Sequence, residues 1–292
     1  MHYRFSKQIL PSRLISKVGK GLLIVVVSGS CLAPVIAQPD LSVQVQRWLQ
    51  LQNLSGQVNF ISGGQTRAAQ SGDRLTRPGD GVATGQQSMV QLALDTGIGF
   101  VDVTEQTKLV IQEMRLTPSQ GRITRLKVSQ GRAKLRLRRF TNPESRFEIE
   151  TPAGISGVRG TEFGINVQPD GKTAVAVLEG KVDSSAQEKT VGINAGFQSF
   201  TIVGEPPSDP VPLKDDPSLS YTLEQTITQG NRQLALRGQV DVVNAVFVAG
   251  KPVSVDRKGQ FVLPIQLVSH PKVQIQVVTP LGKTQNYSLK LL

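Results

Sequence analysis

The feature that most constrains this sequence is a succession of short β-prone runs, which begins at Gln57 and continues to residue 203. Glycine, proline, asparagine and aspartate separate the runs about every ten residues, a spacing typical of an all-β sandwich, barrel or solenoid. Apolar residues with helical periodicity are nearly absent after residue 55. Residues 41–54 fit either a short strand or a helix. We therefore predict an all-β chain, on runs such as QVNFI, MVQLAL, KLVIQEM, ITRLKV and FQSFTIV.

The first 37 residues read as an export signal. Basic residues without any acid lie among residues 1–20, the apolar run GLLIVVV follows, and Val35-Ile36-Ala37 provides a small-residue cleavage site. The apolar run is too short for a spanning helix, which needs about 20 residues. We predict a signal peptide at residues 1–37, cleaved after Ala37. Lipid attachment at Cys31 ranks second, and an uncleaved anchor ranks third.

Export would leave few residues for catalysis or metal binding. Removal of residues 1–37 takes away the only Cys and one of the two His, which leaves His270. It also lowers the formal net charge from +11 to +6, because it removes five basic residues and no acid. A Cys nucleophile and a Cys-based metal site are then excluded, and a Ser-His-Asp triad would have to use His270. We expect no cofactor and no metal, and a location in the periplasm or outside the cell.

A proline-dense segment divides the exported chain. Residues 204–220 (GEPPSDPVPLKDDPSLS) carry five prolines, a density that predicts a semi-extended linker without strand or helix. The expected division is a first domain at residues 41–203 and a second at residues 221–292.

Residues 221–292 read as a small β-sandwich. Alternating apolar positions and hairpin turns predict six or seven short strands in this segment. The stretch Val255-Asp256-x-x-Gly259-x-Phe261 and its neighbouring valines resemble the bacterial immunoglobulin-like domains that are appended to envelope proteins. The resemblance implies a β-hairpin at residues 255–261.

A second resemblance rests on residues 151–163, which read TPAGISGVRGTEF. The later stretches VAVLEGKV (175–182) and AGFQ (195–198) follow the same pattern, as do GDRL (72–75) and GQQS (85–88) upstream. Together they resemble the FecR domain family, whose core is a T-P-x-x-x-x-x-V-R-G-T-x-F block followed by V-x-x-G-x-V and A-G. The resemblance covers about residues 56–203.

This resemblance implies an all-β, solenoid-like extracytoplasmic domain. In the best-known family members, that domain receives a signal from an outer-membrane transporter and passes it to a cytoplasmic anti-sigma segment. Only about 20 residues precede the apolar run of this chain, which is too few for an independent folded core. We therefore expect the exported sensing or binding module without the complete transmembrane signalling mechanism.

The strongest candidate for binding is a basic stripe. Residues 115–146 hold ten Arg and Lys against Glu144 alone, and Lys134, Arg136 and Arg138 alternate with Leu135 and Leu137. One strand face would then be wet and basic while the other packs inward. Guanidinium groups suit phosphate, carboxylate or sulfate groups of a polymer or lipid. The opposing interpretation is a solvated face whose charge prevents edge pairing.

The remaining candidates are Arg132, on the same run, and Arg159, in the motif Val-Arg-Gly-Thr. Arg159 could bind a ligand at a turn, although the favoured interpretation is structural, with its donors satisfying loop carbonyls. Nucleic acid is not an expected partner, because aromatic residues for base stacking are missing.

Two functional hypotheses follow. The first is an exported, non-enzymatic binding, sensing or scaffold protein of the bacterial envelope, which recognises a partner protein or an anionic polymer or lipid. The second is a hydrolase of envelope polysaccharide that uses acidic residues, of which Glu148 and Glu150 are an example on one strand face. The membrane would be contacted only through the signal peptide or a lipid on Cys31. No catalytic residue is assigned.

Overall fold

The computed structural model describes residues 46–228, 231–265 and 272–290. Within those ranges the chain forms twenty-four β-strands and no helix, so none of its described segments offers a helix that could cross a membrane. The all-β prediction is therefore confirmed. The signal-peptide prediction, its cleavage site after Ala37, Cys31 and His270 lie outside the described residues.

The strands follow the alternation of apolar and polar residues, because successive side chains of a strand point to opposite faces. The sequence allowed either a strand or a helix at residues 41–54, and the first strand begins within this segment at Leu49. The strands of the first part of the chain are β1 (Leu49–Ser55), β2 (Val58–Ser62), β3 (Gln65–Ala68), β4 (Arg74–Leu75), β5 (Gly81–Thr84), β6 (Met89–Leu94), β7 (Gly99–Val103), β8 (Lys108–Leu116), β9 (Arg122–Leu137), β10 (Arg146–Thr151), β11 (Gly154–Val158), β12 (Glu162–Val167), β13 (Thr173–Glu179), β14 (Lys181–Ala186), β15 (Lys189–Asn194), β16 (Phe197–Thr201) and β17 (Val211–Pro212).

These strands form two sheets that share their longest strand, β9. The order in sheet A is β4-β1-β6-β7-β9-β12-β13-β16-β17. The order in sheet B is β3-β2-β5-β8-β9-β10-β11-β14-β15. All neighbours are antiparallel except β9 and β10. The first half of β9 pairs in sheet B and the second half, from Gly131 onward, pairs in sheet A.

One hydrophobic core lies between the two sheets. Leu92 and Leu135 enter it from sheet A, and Ile111 and Leu126 enter it from sheet B; all four are fully buried. Because the chain crosses between the sheets several times, strands distant in sequence become neighbours. The second half of β9 is held in this way between β7 and β12.

The proline-dense segment packs against the first part of the chain. Val211–Pro212 forms the edge strand β17 beside β16, and Ser208 Oγ accepts a hydrogen bond from the Phe200 backbone N–H at 3.1 Å. The prediction that no strand forms in this segment was wrong. A proline is tolerated here because an edge strand leaves one side of its backbone unpaired.

A second β-domain follows. Its strands are β18 (Ser220–Thr228), β19 (Asn231–Gln239), β20 (Ala245–Val248), β21 (Lys251–Val253), β22 (Gln260–Ile265), β23 (Lys272–Val278) and β24 (Thr284–Lys290). They form a three-stranded sheet, β18-β19-β22, and a four-stranded sheet, β21-β20-β23-β24. Leu236, Val246, Phe261 and Val277 share a core between these sheets. The immunoglobulin-like assignment stays a prediction.

The second β-domain packs on the outer face of sheet A. A Cβ added at Gly164 on β12 would lie 2.0 Å from the Pro280 carbonyl oxygen, so only glycine permits this approach. Asn166 Nδ2 donates to the Val243 carbonyl at 3.2 Å, on the same face of β12. The described residues from 46 to 290 belong to one compact unit. The division into domains at residues 204–220 remains a prediction.

Candidate functional site

A groove of about 970 Å³ opens at one end of sheet A. Strands β9 and β13 end there, and β12 begins there. Its walls carry more positive than negative charge. The cations that line it are Arg136, Arg138, Arg139, Arg159 and Lys181, and the carboxylates are Glu162 and Glu179. We call this feature the basic groove. Three of the five residues selected from the sequence, Arg136, Arg138 and Arg159, therefore meet in one place.

Strand β9 presents the basic side chains by simple alternation. Leu135 and Leu137 are buried in the core at 0% and 8% exposure, while Arg136 between them points outward with 47% of its side chain exposed. Arg138 follows the last residue of β9, and its backbone N–H still donates to the Ile98 carbonyl at 2.9 Å. The predicted division into a wet basic face and a packed apolar face is what the structure shows.

The opposite wall is built by residues 158–163 of the Val-Arg-Gly-Thr motif. Gly160 has φ of 95°, and a Cβ there would lie 2.2 Å from the Arg139 Cα. Thr161 Oγ1 donates to the Lys181 carbonyl at 3.0 Å, and the Leu137 N–H donates to the Thr161 carbonyl at 3.1 Å. Phe163 is fully buried in the core. The motif therefore brings the ends of β9 and β14 together and leaves Arg159 exposed between them.

Arg159 has a structural contact of its own. Its Nη2 donates to the Pro143 carbonyl, which is the kind of loop contact favoured by the structural interpretation. The side chain nevertheless remains exposed and lines the basic groove. It also lines a second groove of about 350 Å³, together with Arg146 and Lys181.

Part of the basic stripe is neutralised by ion pairs. Lys134 Nζ lies 2.9 Å from Glu162 Oε1, and Arg136 Nη2 lies 3.3 Å from Asp102 Oδ2. Exposed pairs of this kind contribute about 0–1 kcal/mol and still leave the guanidinium available to a competing anion. Among the described residues, Arg138, Arg139 and Arg159 form no ion pair. The unneutralised charge of the groove is therefore concentrated on these three arginines.

Arg132 lies elsewhere, beneath the second β-domain. It is 7% exposed, its Nε and Nη2 both donate to Thr104 Oγ1, and its guanidinium lies 5.9 Å from the centre of the Phe247 ring. Burial lowers the pKa of Arg132 to about 10, partly opposed by the charge of Glu105. Nη1 has no hydrogen-bond partner among the described residues. The structure therefore does not bring Arg132 into the basic groove.

The acidic pair Glu148 and Glu150 does not form a free catalytic pair. Arg125 Nη2 lies 2.7 Å from Glu148, and Lys127 Nζ lies 3.0 Å from Glu150, across the parallel pairing of β9 with β10. The hydrogen bond that Arg125 donates to the Glu148 carboxylate raises the pKa of Arg125. Within the described ranges, no three His, Cys, Asp or Glu side chains come together as a metal-binding group.

The sequence did not point to Arg139 or Lys181 as site residues. Arg139 adjoins Arg138 in the run RLRR, so the density of arginine was an available signal. Lys181 follows a different hairpin, and only the contacts of Gly160 and Thr161 bring it to the groove. A third unexpected residue is Lys172, which is buried between sheet A and the second β-domain.

Comparison with known proteins identifies the domain that holds the groove. Residues 80–183 match the model of the family described as FecR protein. Every residue named above as lining the basic groove lies within that range. The FecR domain that the sequence predicted at about residues 56–203 is therefore confirmed over residues 80–183. A search of curated proteins finds no significant match.

Three solved structures show weaker likeness. Two are crystal structures, at 2.50 and 1.65 Å, of a protein from Parabacteroides distasonis ATCC 8503 provisionally named an anti-sigma factor. Each is 18% identical; they cover 50% and 48% of this chain and 67% and 65% of theirs, with TM-scores of 0.38 and 0.36. The third is a polysaccharide lyase at 9% identity and TM-score 0.19, which covers 84% of this chain and 40% of its own. At these scores none of the three supports an argument about activity.

Proposed function

We propose that this chain is an exported, non-catalytic binding protein of the bacterial envelope, whose FecR domain holds an anionic partner in the basic groove. The observation that carries the proposal is the convergence of Arg136, Arg138, Arg139, Arg159 and Lys181 on one groove at the FecR motif. Five positively charged side chains from three separate segments of the chain attract an anion more strongly than any one of them does alone.

The features of the first 37 residues support export, and the FecR domain supports a role in envelope sensing. The basic n-region, the apolar run and the site at Ala37 are those of a signal peptide. The periplasm or the cell exterior is then the compartment in which the groove meets its partner. N-terminal sequencing of protein from the native envelope should begin at Gln38.

The groove suits binding better than hydrolysis. Glycoside hydrolysis needs two carboxyl groups that flank the scissile bond, one of which acts as an acid. Glu162, which lines the groove, is already paired with Lys134 at 2.9 Å. A glycosidase would release reducing ends from envelope polysaccharide, and the E162Q/E179Q variant would abolish that release. We expect no release by the wild-type protein.

The binding proposal is tested by retention of envelope material. The wild-type protein and the variant R138Q/R139Q/R159Q are immobilised, exposed to envelope extract and eluted with increasing salt. We expect the wild type to retain material that salt releases. The Debye length, over which charges attract each other, is about 8 Å at physiological ionic strength and shorter at higher salt. The triple variant should retain much less.

A matched control removes the same charge elsewhere. Arg77, Lys251 and Lys258 are exposed, lie outside the groove and form no ion pair among the described residues. The variant R77Q/K251Q/K258Q should retain as much as the wild type. Equal retention by both triple variants would show that net charge, rather than the groove, is responsible, and the proposal would fail.

A further inference from the structure

The basic groove continues into a second groove. The second groove has a volume of about 350 Å³ and shares Arg159 and Lys181 with the first. It adds Arg146, Glu148 and Asp183 to the lining. A continuous surface of this size exceeds what a single sugar or amino acid needs, since pockets for drug-sized molecules occupy about 300–1,000 Å³. An elongated occupant fits it better than a compact one.

The charges along this surface are unequally satisfied. Two of its carboxylates pair with cations outside the lining: Glu148 with Arg125 at 2.7 Å and Glu162 with Lys134 at 2.9 Å. Asp183 pairs with Lys181 at 2.8 Å. Among the described residues, Arg146 forms no ion pair, as is also true of the three unpaired arginines already named. Four exposed guanidinium groups therefore remain available, with Glu179 as the opposing carboxylate.

Guanidinium groups select the chemistry of the occupant. Arginine presents a planar fork that matches a carboxylate or a phosphate with two parallel hydrogen bonds, whereas lysine acts as a point charge. All four unpaired cations are arginines. A carboxylate-bearing ligand would use that geometry in full.

The spacing of the arginines selects an extended peptide. Arg136, whose ion pair with Asp102 is partly exposed, and Arg138, just beyond the end of β9, are two residues apart along the extended chain. This spacing places them about 6.6 Å apart along the strand direction. Alternate side chains of an extended peptide have the same repeat. Phe100, 38% exposed and 5.8 Å from the Arg136 guanidinium, offers an apolar contact on the same wall. Acidic side chains at alternate positions of such a peptide would all face the arginines, and the intervening side chains would point away from this wall.

We infer that the occupant is an extended acidic segment of a partner protein, with acidic residues at alternate positions. This inference rests on the proposed function and names its ligand class. Extended peptides are recognised in this way by pockets that read alternate side chains.

The test compares ligands of equal composition. A fluorescent peptide of alternating Glu and Val is titrated against the protein beside a peptide with the same residues in two blocks. We expect the alternating peptide to bind several-fold tighter at low salt. The R138Q/R146Q/R159Q variant should lose roughly tenfold or more in affinity, because charge-assisted bidentate contacts are the strong ones. The R77Q/K251Q/K258Q control should bind as the wild type does.

The opposing carboxylate supplies a second variant. E179Q removes a negative charge from the groove, so the alternating peptide should bind more tightly. A loss of affinity in E179Q would contradict the assigned position of the ligand. Circular dichroism of each variant checks that the fold is retained.

Polymers distinguish the inference from the proposed function. Polygalacturonate and polyphosphate compete with the labelled peptide at equal concentration of charge. If either binds through the four arginines as tightly as the alternating peptide, the peptide inference fails while the proposed anionic groove stands. If no anion binds, or if the arginine variant binds like the wild type, both fail.

Discussion

Gly160 shows how a family motif can be structural and still build a site. Its φ of 95° lies in the region that residues with a side chain rarely adopt, and its backbone passes directly over Arg139. The neighbouring Thr161 ties the same turn to the Lys181 carbonyl. The positions of Arg139, Arg159 and Lys181 in the basic groove therefore depend on the conformation that only a glycine at position 160 adopts readily.

The first prediction concerns Gly160→Ala. The added Cβ would meet the Arg139 Cα at 2.2 Å in addition to the strain of positive φ. We expect the free energy of unfolding to fall by at least about 2 kcal/mol. Chemical denaturation measures the loss.

Gly72→Ala is the matched control, because Gly72 has φ of 92° and nothing within 4 Å of an added Cβ. It should show the strain alone, about 1–2 kcal/mol. If the two variants lose equal stability, the close approach to Arg139 is not what requires glycine at position 160.

At the scale of elements, β9 connects the two sheets and leads into the arginines that line one wall of the candidate site. Gly131, with φ of 88°, lies where β9 passes from sheet B to sheet A, and a Cβ there would lie 2.2 Å from Thr107 Oγ1. The second half then alternates between the core and solvent. Packing and binding are separable on this strand because they use opposite faces.

The second prediction separates those faces. Leu135→Ala should lower the free energy of unfolding by about 2–5 kcal/mol, because Leu135 is fully buried in the core. Lys134→Gln should change it by no more than about 1 kcal/mol, since its pair with Glu162 is partly exposed. Urea unfolding followed by circular dichroism measures both. A large fall in the free energy of unfolding of Lys134→Gln would mean that the ion pair with Glu162 stabilises the sheet more than its exposure indicates.

At the scale of the whole molecule, a lysine joins the FecR domain to the second β-domain. Lys172 is 2% exposed, and its Nζ donates to the carbonyls of Val242, Val255 and Asp256 at 3.1, 2.7 and 2.9 Å. Burial lowers the pKa of Lys172 to about 8, against the opposing effects of Asp170, Asp256 and Asp241. The ammonium group of Lys172 thus donates its hydrogen bonds to carbonyl oxygens, and among the described residues it forms no ion pair with a carboxylate.

The third prediction is a dependence of stability on pH. Between pH 8 and the ordinary lysine pKa of 10.5, the unfolded chain binds more protons at position 172 than the folded chain does. The contribution of this group to the free energy of unfolding therefore rises with pH across that window, by about 3 kcal/mol, and is level below it. Thermal unfolding of the wild type and of Lys172→Met, measured from pH 7 to pH 10.5, isolates the contribution. Parallel curves would contradict a lowered pKa.

The fourth prediction concerns the second β-domain in isolation. Its own core, which includes Leu236, Phe261 and Val277, predicts that residues 221–292 fold alone. The fragment should unfold cooperatively and give dispersed amide signals. It should be less stable than the same segment in the full chain, since contacts such as Asn166 to Val243 are lost. A disordered fragment would mean that the two units share one folding unit.

The sequence by itself determined most of the strands, the faces of β9 and the presence of the FecR domain, but not the strand at Val211–Pro212. Those properties depend on neighbouring residues: alternation sets which side of a strand is apolar, and the Val-Arg-Gly-Thr motif is contiguous. Arg136, Arg138 and Arg159 could therefore be selected in advance. Only the tertiary structure decided that they meet, that Lys181 joins them, and that Arg132 and Lys172 are buried. Burial of a charged side chain depends on what packs over it, and here the covering residues lie some 70 to 115 positions away along the chain. No local pattern of charge or hydropathy can encode such a contact.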